Sequence, residues 1–150
     1  MVGNPTRGSA PLADSHMIGF TGTQSLDSIS MKRLYELETL LTKMFLPGNY
    51  FHHGDCKGMD AYAHDLAVKI GYKIVLHPPS NNKARAYCKA DISVQPKDYI
   101  KRNHDIVQSS STLIAIPKNP LKEERRSGTW ATIRYAKRVA LKRHYKIIIL

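Results

Sequence analysis

Long apolar runs are missing from this 150-residue chain. No stretch approaches the roughly 20 apolar residues that a bilayer-spanning helix needs, so no membrane partner is expected. Cysteine is scarce. Cys56 and Cys88 do not make a disulfide framework, and a reducing, cytoplasmic setting is the expected localisation. Acidic residues are few as well: 12 Asp and Glu stand against 23 Lys and Arg, for a formal charge of +11 and a pI near 9.8. That imbalance implies an acidic partner, such as a nucleotide, a nucleic acid or an anionic surface. The first 16 residues have no apolar core of a signal peptide. Rich in Gly, Pro and Ser, they read as a disordered leader or a vector-derived segment, with the native protein beginning at Met17.

Residues 17–150 are expected to form a single domain. Short apolar runs at 17–20, 50–53, 73–77, 112–116 and 146–150 read as strands. Helical periodicity fills 30–45, 58–70, 98–109 and 129–143 between them. The strands are continuous apolar runs rather than strict alternators, which favours a parallel sheet buried on both faces. The predicted fold class is α/β: a Rossmann-like, doubly wound, mainly parallel five-stranded sheet with helices on both faces. Residues 80–96 show little periodicity and read as a long functional loop.

In such sheets ligands bind beyond the carboxyl ends of the strands, at the topological switch point. Those ends are rich in small and polar residues here: Gly19 and Thr21-Gly22-Thr23, then Gly54-Asp55-Cys56-Lys57-Gly58-Met59-Asp60, then His77-Pro78-Pro79, then Ser127-Gly128-Thr129. Glycines allow close backbone approach, and N–H groups and hydroxyls hold phosphate oxygens. Ser127-Gly128-Thr129 opens a predicted helix, whose unpaired N–H groups and dipole favour an anion. The competing role for the same residues is a plain helix cap.

Three motifs carry a family resemblance: Gly54-Asp55-Cys56-Lys57-Gly58-Met59-Asp60-Ala61, Arg102-Asn103-His104-Asp105-Ile106-Val107, and Ser127-Gly128-Thr129. In order and spacing the chain from Met17 to Leu150 resembles the SLOG superfamily. That group includes the cytokinin-activating LOG phosphoribohydrolases, the DNA-processing DprA/Smf proteins and many small nucleotide-binding proteins. The resemblance implies a nucleotide or nucleotide-derived ligand over the strand ends, and a homo-oligomer, commonly a dimer. It places phosphate or sugar contacts on Gly19, Thr21, Gly22, Thr23, Gly54, Asp55, Lys57, Gly58, Asp60, Pro78, Arg102, Asn103, Ser127, Gly128, Thr129 and Thr132.

One departure bears on activity. In LOG-type hydrolases the last motif is GGxGT, followed three residues after its Thr by a catalytic Glu. Thr132 holds that position here, and a hydroxyl does not replace a carboxylate in proton handling. The expectation is therefore a protein that senses or sequesters a nucleotide signal. The alternative is a nucleoside 5′-monophosphate N-glycosidase using Asp60, the only nominated catalytic carboxylate. A second alternative is a DNA-binding module resting on the cationic face Arg134, Arg138 and Lys142, joined by Lys137 and Arg143; no aromatics interleave it.

Arg102 is expected to grip phosphate or a base edge and Asn103 to orient a hydroxyl. Trp130 is a base-stacking candidate or a core indole. Cys56 lies near a helix start, which lowers a thiol pKa, but it has no visible base partner. His52, His53, His64, His77 and His104, with Asp55, Cys56 and Asp60, form no HExxH or paired CxxC pattern. No metal and no cofactor is expected.

Overall fold

The computed structural model describes residues 17–150. The expectations for the first 16 residues lie outside the described residues. Among the described residues no helix is long and apolar enough to cross a membrane.

The strands are β1 (Met17–Gly22), β2 (Tyr50–His53), β3 (Lys73–Leu76), β4 (Ile92–Ser93), β5 (Thr112–Ile116) and β6 (Lys146–Ile149). The helices are α1 (Met31–Met44), α2 (Met59–Ile70), α3 (Tyr99–Gln108) and α4 (Gly128–Ala140). Local chemistry sets their ends. Ser30 and Asp98 cap α1 and α3 by accepting the N–H groups of Arg33 and Lys101. Gly71 closes α2 at φ +124, a conformation that suits glycine.

All strand pairs are parallel, in the order β4-β3-β2-β1-β5-β6. The Rossmann-like α/β prediction holds, with one correction: the sheet has six strands rather than five. The added strand, β4, lies inside the stretch expected to be an irregular loop. It pairs Ile92 with Val75 and Ser93 with Leu76, and the Asp91 carboxylate accepts the Ile74 N–H at 2.8 Å. Two exposed edge residues leave no periodicity to read.

β5 shows how both faces are buried. Ile114 and Ile116 join the core formed with α1 and α2, where Phe20, Leu37, Phe51 and Met59 pack. Leu113 and Ala115 face the other side, where Ile106 of α3 and Ala136, Trp130 and Ile133 of α4 cover the sheet. β1 runs past its expected end at Phe20 because Thr21 and Gly22 continue to pair with Ala115 and Ile116. From β1 the chain winds one way to β2, β3 and β4, and then crosses back to β5. The switch point is therefore the gap between the ends of β1 and β5.

Candidate functional site

A cavity of about 650 Å³ opens at that switch point. The end of β1 contributes Thr21, Gly22, Thr23 and Gln24, and the turn after β2 contributes Gly54 and Cys56. Asp60 enters from the first turn of α2. Tyr99, Arg102, Asn103 and Ile106 come from one face of α3, at the i, i+3, i+4, i+7 spacing of neighbours on a helix. The β5–α4 connection supplies Lys118, Glu124 and Arg126, and the start of α4 supplies Ser127, Gly128 and Thr129. Residues from all three resemblance motifs thus meet in one crevice.

At the start of α4 both roles expected of Ser127-Gly128-Thr129 are compatible. The Ser127 hydroxyl caps the helix by accepting the Trp130 N–H at 3.1 Å. Among the described residues the N–H groups of Gly128 and Thr129 have no partner in the chain, so the positive end of the dipole stays open. Nothing lies within 4 Å of where a Cβ on Gly128 would stand. An anion can therefore approach the backbone there.

Arg102 is 5% exposed and works first as a brace. Its Nη1 donates to the carbonyls of Gly54 and His77, its Nε to Asn103 Oδ1 at 2.7 Å, and its Nη2 to Cys56 Sγ at 3.6 Å. It ties the turns after β2 and β3 to α3, and Asn103 orients the guanidinium. Asp60 accepts the Cys56 N–H at 3.2 Å. Burial raises its pKa to about 6 against the opposing pull of Arg102. Burial also pushes the Cys56 thiol up, with Asp60 adding to the shift and Arg102 opposing it. The lowering expected from the nearby helix start is thus overcome.

Other candidates sit away from this cavity. Gly19 lies under the end of α3, where a Cβ would stand 2.7 Å from Ser110 Oγ. Asp55 is fully buried, at φ +57, and its carboxylate accepts from Arg85 Nε at 2.7 Å and the Cys88 N–H at 2.9 Å. Lys57 has an exposed side chain and a backbone N–H bonded to the Ala84 carbonyl. Gly58, at φ +91, crosses the Gln24 backbone. It borders a second, more open cavity with Gln24, Asp27 and Lys118. Pro78 is buried, its carbonyl accepting the Lys97 N–H. Thr132 turns back to donate to the Gly128 carbonyl at 2.9 Å. Trp130 packs in the core with Ala115 and Ile133 and does not line the cavity.

Gln24, Tyr99, Lys118, Glu124 and Arg126 line the cavity and were missed by motif reasoning. Tyr99 was within reach, because it lies one helical turn before Arg102. The last helix ends at Ala140 rather than Arg143, so Lys142 and Arg143 lie beyond it. Arg134 of α4 is paired with Glu123 at 2.6 Å, and Arg143 donates to the Val107 and Ser110 carbonyls at the end of α3. Two members of the cationic stripe are thereby engaged within the chain. Against the expectation of no interleaved aromatic, Tyr135 lies within it, with the Arg138 guanidinium 5.5 Å over its ring.

The fold and the switch-point crevice define a Rossmann-like α/β protein. No protein-family model and no curated protein matches the chain. Among solved structures it is similar to TM1055, a structural-genomics target solved by X-ray methods. The two are 16% identical, with a TM-score of 0.59 over 82% of this chain and 69% of that one. It is also similar to the molybdenum cofactor binding protein of the phototrophic bacterium Rippkaea orientalis. Here identity is 24% and the TM-score 0.60, over 89% of this chain and 74% of that one. These likenesses establish the shared fold.

Proposed function

We propose that this protein binds a nucleotide or nucleotide-derived molecule in the β1–β5 crevice, as its resemblance to the SLOG superfamily implies. The observation that carries the reading is the open start of α4. Two unpartnered N–H groups and an unobstructed Gly128 border the same cavity as Lys118 and Arg126, a setting suited to phosphate. Tyr99 and Ile106 offer the cavity an aromatic and an apolar surface for a base, and Asp60 a hydrogen-bonding group for a sugar. One solved structure of the same fold is a molybdenum cofactor binding protein, which supports a small-molecule ligand as the class to test. Denaturing the purified protein and identifying co-released small molecules by mass spectrometry tests the reading. A nucleotide-class molecule supports it. Empty protein that also shows no thermal shift across a nucleotide panel refutes it.

A second reading rests on Asp60. A carboxyl with a pKa of about 6 beside a ligand cavity is suited to proton transfer near neutral pH. On this reading the protein hydrolyses the N-glycosidic bond of a nucleoside monophosphate. Free base released by the wild type and abolished in Asp60→Asn supports hydrolysis; intact nucleotides across the panel leave binding alone.

A further inference from the structure

A second cluster of chemically capable side chains lies outside the crevice lining. His53 ends β2, His64 lies in α2, and Cys88 belongs to the irregular stretch between β3 and β4. One ligand atom from each falls within 4.8 Å of the others. His53 Nε2 and His64 Nδ1 are 3.0 Å apart. Both imidazoles are buried, and Cys88 is partly buried against the same core. We propose that His53, His64 and Cys88 form a binding site for a thiophilic divalent cation of the zinc class, with water as its fourth ligand.

The donor set fits that class. Two imidazoles and a thiolate leave one position of a tetrahedron open. Zinc–nitrogen distances of about 2.0 Å and a zinc–sulfur distance of about 2.3 Å put tetrahedral nitrogens about 3.3 Å apart and the sulfur about 3.5 Å from each. The imidazoles need to separate by only a few tenths of an ångström, and the thiol, within 4.8 Å of both, to draw in by about 1.3 Å at most.

The proton balance is explicit. His53 Nδ1 accepts the Asp55 N–H at 3.0 Å, so in the metal-free protein its Nε2 carries the ring proton and donates to His64. A cation bound to Nε2 moves that ring proton to Nδ1, which breaks the bond from the Asp55 N–H, and the thiol proton passes to solvent. Two neutral imidazoles and one thiolate then leave the centre with a single positive charge, beside the carboxylates of Asp55 and Asp65. Charged groups that act on the cluster are Asp55, held by Arg85, Asp65, which acts on His64 and Cys88, Asp60, which acts on Cys88, and Arg102, the one cation among them, which acts on His53. Cys88 also donates its N–H to Asp55. The cation would therefore fasten the stretch carrying Ala84, which lines the crevice, to β2 and α2.

The test uses the full chain, stripped with a chelator and titrated with zinc and then with cobalt. The expected result is about one equivalent bound at micromolar zinc, with a rise of several degrees in Tm. The cobalt form should show a near-ultraviolet thiolate charge-transfer band. Cys88→Ser should abolish that band, and His64→Gln should weaken zinc binding by at least tenfold. His144→Gln, a change at an exposed residue, should do neither. No stoichiometric binding by the wild type overturns the proposal. So does unchanged binding in both Cys88→Ser and His64→Gln, which also covers the case in which one of them fails to fold. No readout involves a nucleotide, so this result and that of the crevice reading are independent.

Discussion

The guanidinium of Arg102 occupies the space where a side chain on residue 54 would begin: Nη1 stands 2.5 Å from the position of a Gly54 Cβ. The glycine is required by a neighbouring arginine before any ligand is considered. Gly54→Ala should therefore destabilise the fold by about 1–3 kcal/mol through overpacking. In an Arg102→Ala background the same change should cost much less, because the obstructing group is gone. Urea melts of the two single variants and the double variant measure the coupling. Additive losses would contradict this relationship.

Gly22 and Gly128 should separate packing from binding. A Cβ on Gly22 would stand 2.6 Å from Met59 Cβ and 2.9 Å from Ile116 Cγ2, whereas one on Gly128 meets nothing within 4 Å. Gly22→Ala should lose about 1–3 kcal/mol of stability. Gly128→Ala should be neutral or stabilising by up to about 1 kcal/mol, while weakening any anion held against the helix start. Denaturant melts paired with ligand titrations check both halves.

Acid should unfold this protein early. Burial lowers the pKa of His52 to about 3 and of His77 to about 4, and lowers those of His53 and His64 as well. The unfolded chain takes up these protons near pH 6.5. Below that pH the unfolded state binds more protons than the folded one, and stability falls. Each such group contributes a slope of about 1.4 kcal/mol per pH unit. Asp60 acts in the opposite sense. Its folded pKa of about 6 exceeds the ordinary 3.8, so its contribution improves as pH drops through that window. One carboxyl offsets only part of several histidines. Tm should fall steadily from pH 7 to pH 4; a flat or rising Tm over that range would contradict these environments.

The alternation of apolar runs and amphipathic helices carried the fold, and the strand ends carried the place of the crevice. Residues that the sequence joins in one motif were harder to assign. In the run from Gly54 to Asp60, Gly54, Cys56 and Asp60 line the cavity, while Asp55 turns inward to hold Arg85 and Cys88. A sharp turn sends adjacent side chains to different places, and periodicity does not encode that. β4 was illegible because two edge residues have no pattern. The His53, His64 and Cys88 grouping has no regular ligand spacing, because it is assembled from a strand, a helix and a loop.

The central claim is that an anionic ligand sits at the start of α4. Isothermal titration of the wild type and Arg126→Ala with a panel of nucleoside mono- and dinucleotides tests it most directly. Arg126 is exposed and lines the crevice, so its loss should leave the fold intact. Saturable one-site binding of at least one nucleotide is expected for the wild type, weakened about tenfold or more in the variant. No binding across the panel, or equal affinity in both proteins, would contradict it.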